Sequence, residues 1–265
     1  MFKNYKREVL VIVDAIQNAY RNCYKCESFI TSDKGIFDVV TSNDYMIEDY
    51  IIKAIRCHFP NDTILSEETL SDTAVENRTW TIDPIDGTYN MSRAIPLFGV
   101  QCSLYVEGKT VLAVIFLPVF NEIYAAVSGE GAFLNNERIY VKSTPLDHAI
   151  VSFGDFSHKR PNDFYDEQQL MHLLSEQIAK VRMFGAASID FAYLASGKTD
   201  AAILFTKNKW DIAPGILIAK EAGAYIASPD GAYCTDSRAI IATSNNELME
   251  YIQSCYKRID LYSGL

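Results

Sequence analysis

Trp80-Thr81-Ile82-Asp83-Pro84-Ile85-Asp86-Gly87-Thr88 is the stretch on which the reading of this chain turns. A β-prone run ends in two carboxylates with a proline between them and a glycine behind. Pro84 fixes its own φ and pushes Asp83 toward an extended conformation. The expectation is a strand that stops with Asp83 at its tip and Asp86 folded back beside it. Close like charges raise each other's pKa unless a cation intervenes, and a hard divalent ion with oxygen ligands at about 2.0–2.1 Å suits such a pair, which points to magnesium. Gly87 lets a ligand approach the backbone, and Thr88 can open a helix whose free N–H groups face an anion. The rival reading is a capped strand-to-helix turn, since Asp-Pro and Asp-Gly are ordinary turn pairs.

Two further acidic segments lie on either side. Ser66-Glu67-Glu68 follows a predicted strand over 63–65, where adjacent acids suit a cation or an exposed loop. Trp210-Asp211-Ile212-Ala213-Pro214-Gly215 opens a predicted helix over 212–222, with Asp211 as its N-cap, Pro214 in its first turn and Gly223 closing it. Capping alone would explain that aspartate.

Around these segments, helical spacing of apolar residues predicts helices over 9–20 and 45–58. Short β-prone runs over 78–82, 100–106, 111–117 and 122–127 make a sheet-rich centre. From residue 150 strands (150–153, 181–184, 201–205) alternate with helices (164–179, 188–196, 212–222), an α/β pattern. The stretch 142–147 is the best boundary, giving an N-terminal α+β half over 1–144 with most of the candidate metal ligands and a C-terminal α/β half over 145–265 with Asp211 and substrate contacts, packed closely as one unit.

The chain has 265 residues, 49% of them hydrophobic, and a net charge of −10. That charge opposes docking on nucleic acid or on an anionic membrane and favours a small ligand; a phosphorylated one requires cations or a local basic patch to invert the field. Residues 1–20 mix charged and apolar side chains and do not read as a signal peptide or a membrane span, so a cytoplasmic protein is expected. Six dispersed cysteines read as free thiols, and the lone Cys23–Cys26 CxxC lacks the second ligand pair that zinc needs.

Leu65-Ser66-Glu67-Glu68, Asp83-Pro84-Ile85-Asp86-Gly87-Thr88-Tyr89-Asn90 and Trp210 to Gly215, with Asp38-Val39-Val40-Thr41-Ser42-Asn43-Asp44 upstream and Arg182-Met183-Phe184-Gly185-Ala186-Ala187 downstream, resemble the inositol monophosphatase family. That family belongs to the lithium-sensitive, magnesium-dependent phosphatases that include fructose-1,6-bisphosphatases. The resemblance covers nearly the whole chain and implies a five-layer αβαβα sandwich, commonly dimeric. It implies two or three Mg2+ ions held by Glu67, Asp83, the Ile85 carbonyl, Asp86 and Asp211. Thr88, paired with Asp44, would orient water, and Glu67 would help to activate it. The resemblance further implies substrate contacts at Asp86, Gly87, Thr88, Gly185, Ala186 and Asp211. Hydrolysis would proceed by in-line attack of metal-activated water, with no phosphoenzyme.

Three positions depart from the family pattern. Ser66 replaces a glycine, Met91 a phenylalanine, and Leu204 stands where inositol phosphatases carry a glutamate that contacts substrate hydroxyls. Leucine cannot accept those hydrogen bonds, so myo-inositol phosphate is a doubtful preferred substrate. Two basic clusters, Lys207/Lys209 and Lys159/Arg160, offer a second anionic contact, as for fructose-1,6-bisphosphate, 3′-phosphoadenosine 5′-phosphate or NADP; solvated loops are the alternative. A non-catalytic phosphate-binding protein would be marked by loss of a ligand, and Glu67, Asp83, Asp86, Asp211, Thr88 and Asp44 are all present.

Overall fold

Val9, Ile12, Ala15, Ile16 and Ala19 recur at helical spacing and bury one face of α1 (Lys6–Cys23). The computed structural model describes residues 2–24, 31–35, 38–156, 161–234, 237 and 239–263. A two-stranded ribbon of β1 (Thr31–Gly35) and β2 (Asp38–Thr41) leads into α2 (Ser42–His58), which packs beside α1. The second cysteine of the CxxC, Cys26, lies outside the described residues.

Seven strands follow in a single sheet: β3 (Thr63–Ser66), β4 (Arg78–Asp86), then after the short helix α3 (Thr88–Ser92), β5 (Gly99–Val106), β6 (Lys109–Leu117), β7 (Glu122–Val127), β8 (Gly131–Leu134) and β9 (Glu137–Ile139). All neighbours are antiparallel except β3 and β4. The second sheet takes the order β11-β10-β12-β14-β13 from β10 (Ile150–Phe153), β11 (Lys180–Arg182), β12 (Ala201–Leu204), β13 (Tyr225–Ala227) and β14 (Ile240–Thr243). Its helices are α4 (Pro161–Leu174), α5 (Ala187–Ala195), α6 (Lys209–Glu221) and α7 (Asn246–Ser263).

Burial explains the layering. α1 and α2 cover one face of the seven-stranded sheet through Ile12, Ile16, Ile47 and Ile51 against Trp80, Ile82, Val100 and Cys102. α5 is buried on all sides, the mark of a helix enclosed between layers. Its Ile189 and Ala192 meet Ile115, Leu117 and Tyr124 of the first sheet, while Phe191 and Leu194 meet Ala202 and Leu204 of the second. α6 lies beside it, and α4 and α7 close the far face of the second sheet. The sandwich is αβαβα.

Three local expectations need correction. β4 does not stop at Asp83: it runs on to Asp86 across a bulge, pairing Asp83 with Gln101 and Asp86 with Gly99. Residues three apart in a regular strand face opposite ways, and the one extra residue of the bulge returns Asp86 to the face of Asp83. α6 starts three residues earlier than expected, with Asn208 at the N-cap position, so Asp211 sits inside the first turn and Pro214 lies inside the helix. α4 ends at Leu174 rather than continuing to 179.

The α5–α6 crossing is tight: a Cβ on Gly215 would lie 2.0 Å from Cδ2 of Phe191. Gly215→Ala is therefore expected to cost about 3 kcal/mol of unfolding free energy or more in urea titration, whereas free tolerance of alanine would contradict this packing.

Candidate active site

The four carboxylates arrive from three elements. Glu67 follows β3, with its N–H donating to the Ile82 carbonyl at 3.2 Å. Asp83 and Asp86 sit on either side of the β4 bulge, and Asp211 projects from the first turn of α6. Glu67, Asp83 and Asp211 each offer a carboxylate oxygen, and these oxygens all lie within 4.8 Å of one another. Asp86 is held to one side, its Oδ2 accepting from the Ser188 N–H at 2.6 Å and its Oδ1 from the Ala187 N–H at 3.3 Å. The positive end of α5, from the second half of the chain, thus steadies an acid from the first.

Asp211 does not cap its helix. Its Oδ2 accepts from the Thr206 hydroxyl at 2.6 Å and from Asn208 Nδ2 at 3.2 Å, which fixes the side chain toward the acidic cluster. Asp83 is 1% exposed, and its Oδ1 finds no hydrogen-bond partner among the described residues. Gln101 Nε2 lies 3.3 Å from the other oxygen and 3.2 Å from the Asp211 carbonyl.

A second group pairs Asp44 with Thr88. Asp44 closes a capping box with Thr41 at the start of α2, accepting on Oδ2 from the Thr41 N–H at 2.8 Å. Its Oδ1 faces the Thr88 hydroxyl at 3.1 Å, and that hydroxyl is also 2.9 Å from the Ile85 carbonyl. Thr88 has one proton for these two acceptors. When the Ile85 oxygen is engaged elsewhere, the proton goes to Asp44 and the threonine lone pairs are left to accept from water.

Gly87, Gly185 and Ala186 do come together. Gly87 has φ +92°, and a Cβ there would lie 3.0 Å from both Ala186 Cβ and the Leu97 carbonyl oxygen. Asn90 ties this corner across the two halves, donating to the carbonyls of Leu97 and Phe184 at 2.7 Å each. Lys207 is exposed and Lys209 half-buried as the first residue of α6, both next to Asp211 in sequence. Lys159 and Arg160 lie outside the described residues. Leu204 is 3% exposed, packed with Ala187 and Ile212.

Burial raises the Asp83 carboxyl well above the usual range, with Glu67, Asp86 and Asp211 adding to it. Burial likewise lifts Asp211 to about 8, with Glu67 adding to the rise. Asp86 and Asp44 are pushed up to about 6 by burial, against the lowering effect of the Ser188 and Thr41 hydrogen bonds. A cluster of hard oxygen donors that repel one another, one of them orphaned, is the donor set of a divalent cation.

Gln101, Glu48 and Asp190 were not found from sequence. Gln101 and Ser103 alternate with apolar residues along β5, as Thr79, Thr81 and Asp83 do along β4, a period of two that marks the polar face of a buried sheet. Asp190, 1% exposed in the first turn of α5, is also raised well above the ordinary range by burial. No sequence pattern marks it.

Fold and site together define a metal-dependent phosphoric monoester hydrolase. The chain matches the inositol monophosphatase family over residues 7–259 and belongs to it. The Nus factor SuhB of Haemophilus influenzae is 34% identical over 244 residues, spanning 89% of this chain and 90% of that protein. The fructose-1,6-bisphosphatase/inositol-1-monophosphatase of Thermotoga maritima is 33% identical over 198 residues, 74% of each chain. A solved Thermotoga maritima IMPase superposes with a TM-score of 0.84 at 25% identity, covering 98% of this chain and 99% of its own.

The raised acids predict how metal-free protein responds to pH. Carboxyls near 6 and 8 in the folded state, against about 4 when unfolded, contribute stability that is present below pH 4 and lost as pH rises through those values. In EDTA the melting temperature should fall between pH 5 and pH 8.5, and saturating Mg2+ should remove most of that fall. A flat EDTA profile across this window would refute the account.

Proposed function

We propose that this phosphatase uses magnesium, in two or three ions held by Glu67, Asp83, the Ile85 carbonyl, Asp86 and Asp211, to hydrolyse a phosphate monoester on a small metabolite. The observation that carries the proposal is the meeting of Glu67, Asp83 and Asp211 oxygens within 4.8 Å beside the Asp44–Thr88 pair. Bound magnesium would supply Lewis-acid stabilisation of the phosphoryl oxygens and lower the pKa of the attacking water. Thr88, donating to Asp44, accepts a hydrogen bond from one O–H of the water, which keeps that proton, and so directs the water lone pair at phosphorus. Glu67 receives the other proton as the new P–O bond forms. The ester P–O bond breaks on the opposite side, and the leaving alkoxide takes a proton from solvent. Gly87 and Thr88 bring backbone N–H groups to the phosphate, Gly185 and Ala186 form the facing wall, and Asp86 and Asp211 border the alcohol.

A substrate with a second anionic group is favoured over myo-inositol phosphate. Leu204 offers no acceptor for polyol hydroxyls, and Lys207 and Lys209 precede Asp211 by four and two residues in the chain. A relative that bears a fructose-1,6-bisphosphatase name as well as an inositol monophosphatase one fits this preference. Lys159 and Arg160 are candidates for the same role. We further propose that the halves 1–144 and 145–265 act as one unit, supported by the bonds from α5 to Asp86 and from Asn90 to Phe184. A cytoplasmic homodimer inhibited by lithium completes the proposal. Exposed Ile95 and Met183, adjoining the segments that Asn90 joins, are apolar enough to belong to the dimer interface.

The test is phosphate release from inositol-1-phosphate, fructose-1,6-bisphosphate, 3′-phosphoadenosine 5′-phosphate, NADP and glycerol-2-phosphate, with Mg2+, EDTA or added Li+. Activity should require Mg2+ and fall by about a hundredfold or more in Asp86→Asn. Replacing both Lys207 and Lys209 by alanine should lower kcat/KM for the preferred bis-anionic substrate by about fivefold and leave glycerol-2-phosphate unchanged. Equal effects on both esters would remove the second-anion reading for that cluster.

A further inference from the structure

Helix α2 presents two buried carboxylates one turn apart, Asp44 at 1% and Glu48 at 0% exposure. Four residues along an α-helix bring side chains back to the same face. Asp44 reaches Thr88, as described above. Glu48 reaches a different segment: its Oε2 accepts from the Glu68 N–H at 2.9 Å, and its Oε1 takes a short hydrogen bond from the Thr69 hydroxyl. Both donors belong to the turn that immediately follows Glu67. The N–H of Glu67 is itself fixed to Ile82 of β4. Glu67 therefore hangs between a backbone bond to the sheet on one side and a carboxylate from α2 on the other.

No basic side chain pairs with Glu48 among the described residues. A buried acid with no cationic partner costs several kcal/mol unless well-aimed donors satisfy it. Here the donors come from the turn behind a carboxylate of the acidic cluster, and an apolar side chain could have filled the same space. We infer that Glu48 is a positioning residue, which holds the turn at residues 67–69 so that Glu67 meets Asp83 and Asp211 at metal-binding separation. Because Asp44 and Glu48 share one rigid helix face, α2 also sets the spacing between Thr88 and Glu67, the two groups that handle the attacking water. This inference rests on the reading of Glu67 as a metal ligand.

Mg2+ titration calorimetry on Glu48→Gln, Thr69→Val and Glu67→Gln tests it, together with melting in EDTA and the Mg2+ dependence of activity. Glutamine keeps the size of Glu48 but sets an N–H against one of the two donors. Glu48→Gln should weaken Mg2+ binding by about ten- to a hundredfold and raise the Mg2+ requirement for turnover in parallel. Substrate KM at saturating Mg2+ should stay near the wild-type value, and the EDTA melting temperature reports separately the stability lost to the unsatisfied donor. Thr69→Val, which removes one of the two bonds and leaves Glu48 in place, should weaken binding in the same direction by less, and it decides the matter alone if Glu48→Gln does not fold. Wild-type Mg2+ affinity in both variants overturns the inference. If Glu67→Gln also binds as wild type does, it is the ligand reading of Glu67 that has failed; if only Glu67→Gln loses affinity, Glu48 is merely structural.

Discussion

Repulsion among Glu67, Asp83, Asp86 and Asp211 is the constraint around which the rest of the molecule is arranged. Like charges in a low-dielectric interior separate or protonate unless something holds them and something cationic joins them. The holding is divided among elements that apolar packing has already brought together. The end of α5 takes Asp86, Thr206 and Asn208 take Asp211, Gln101 takes Asp83, and the turn after β3 is gripped from α2. Folding therefore builds an electrostatically unfavourable cluster at the expense of stability gained elsewhere, chiefly in the apolar layers on both faces of the first sheet.

Much of this was legible in the sequence because the chemistry is local. Asp83, Asp86, Gly87 and Thr88 are neighbours in the chain, and the apolar spacing over 45–58 marks most of α2, though its capping box at Thr41 and Asp44 starts it at Ser42. The strands over 100–106, 111–117 and 122–127 followed from their β-prone, unbroken runs. Other features depended on partners distant in sequence. A bulge is a property of two strands, so the continuation of β4 to Asp86 could not be read without knowing that Gly99 and Gln101 lie opposite. Asp211 reads as an N-cap because Asp before an apolar periodic run usually is one; Asn208 takes that position instead and releases the aspartate for the cluster. Glu48 looked like any acid on an amphipathic helix, since its partners lie in a turn twenty residues on.

The middle layer has a consequence for how the chain is made. Every strand of the first sheet precedes residue 140, yet Ala113, Ile115, Leu117, Tyr124 and Ala126 take much of their cover from Ile189, Ala192, Ala195, Leu217 and Ile218 of α5 and α6. During vectorial synthesis that apolar face emerges first and waits for a cover encoded roughly 80 residues later, an interval on the order of ten seconds at common elongation speeds. Glu221, at the far end of α6, then locks the cover by accepting from the N–H groups of Gly129 and Gly131 at 2.8 Å each. Until that clasp closes, the nascent sheet exposes an apolar face much of whose cover belongs to the later half of the chain.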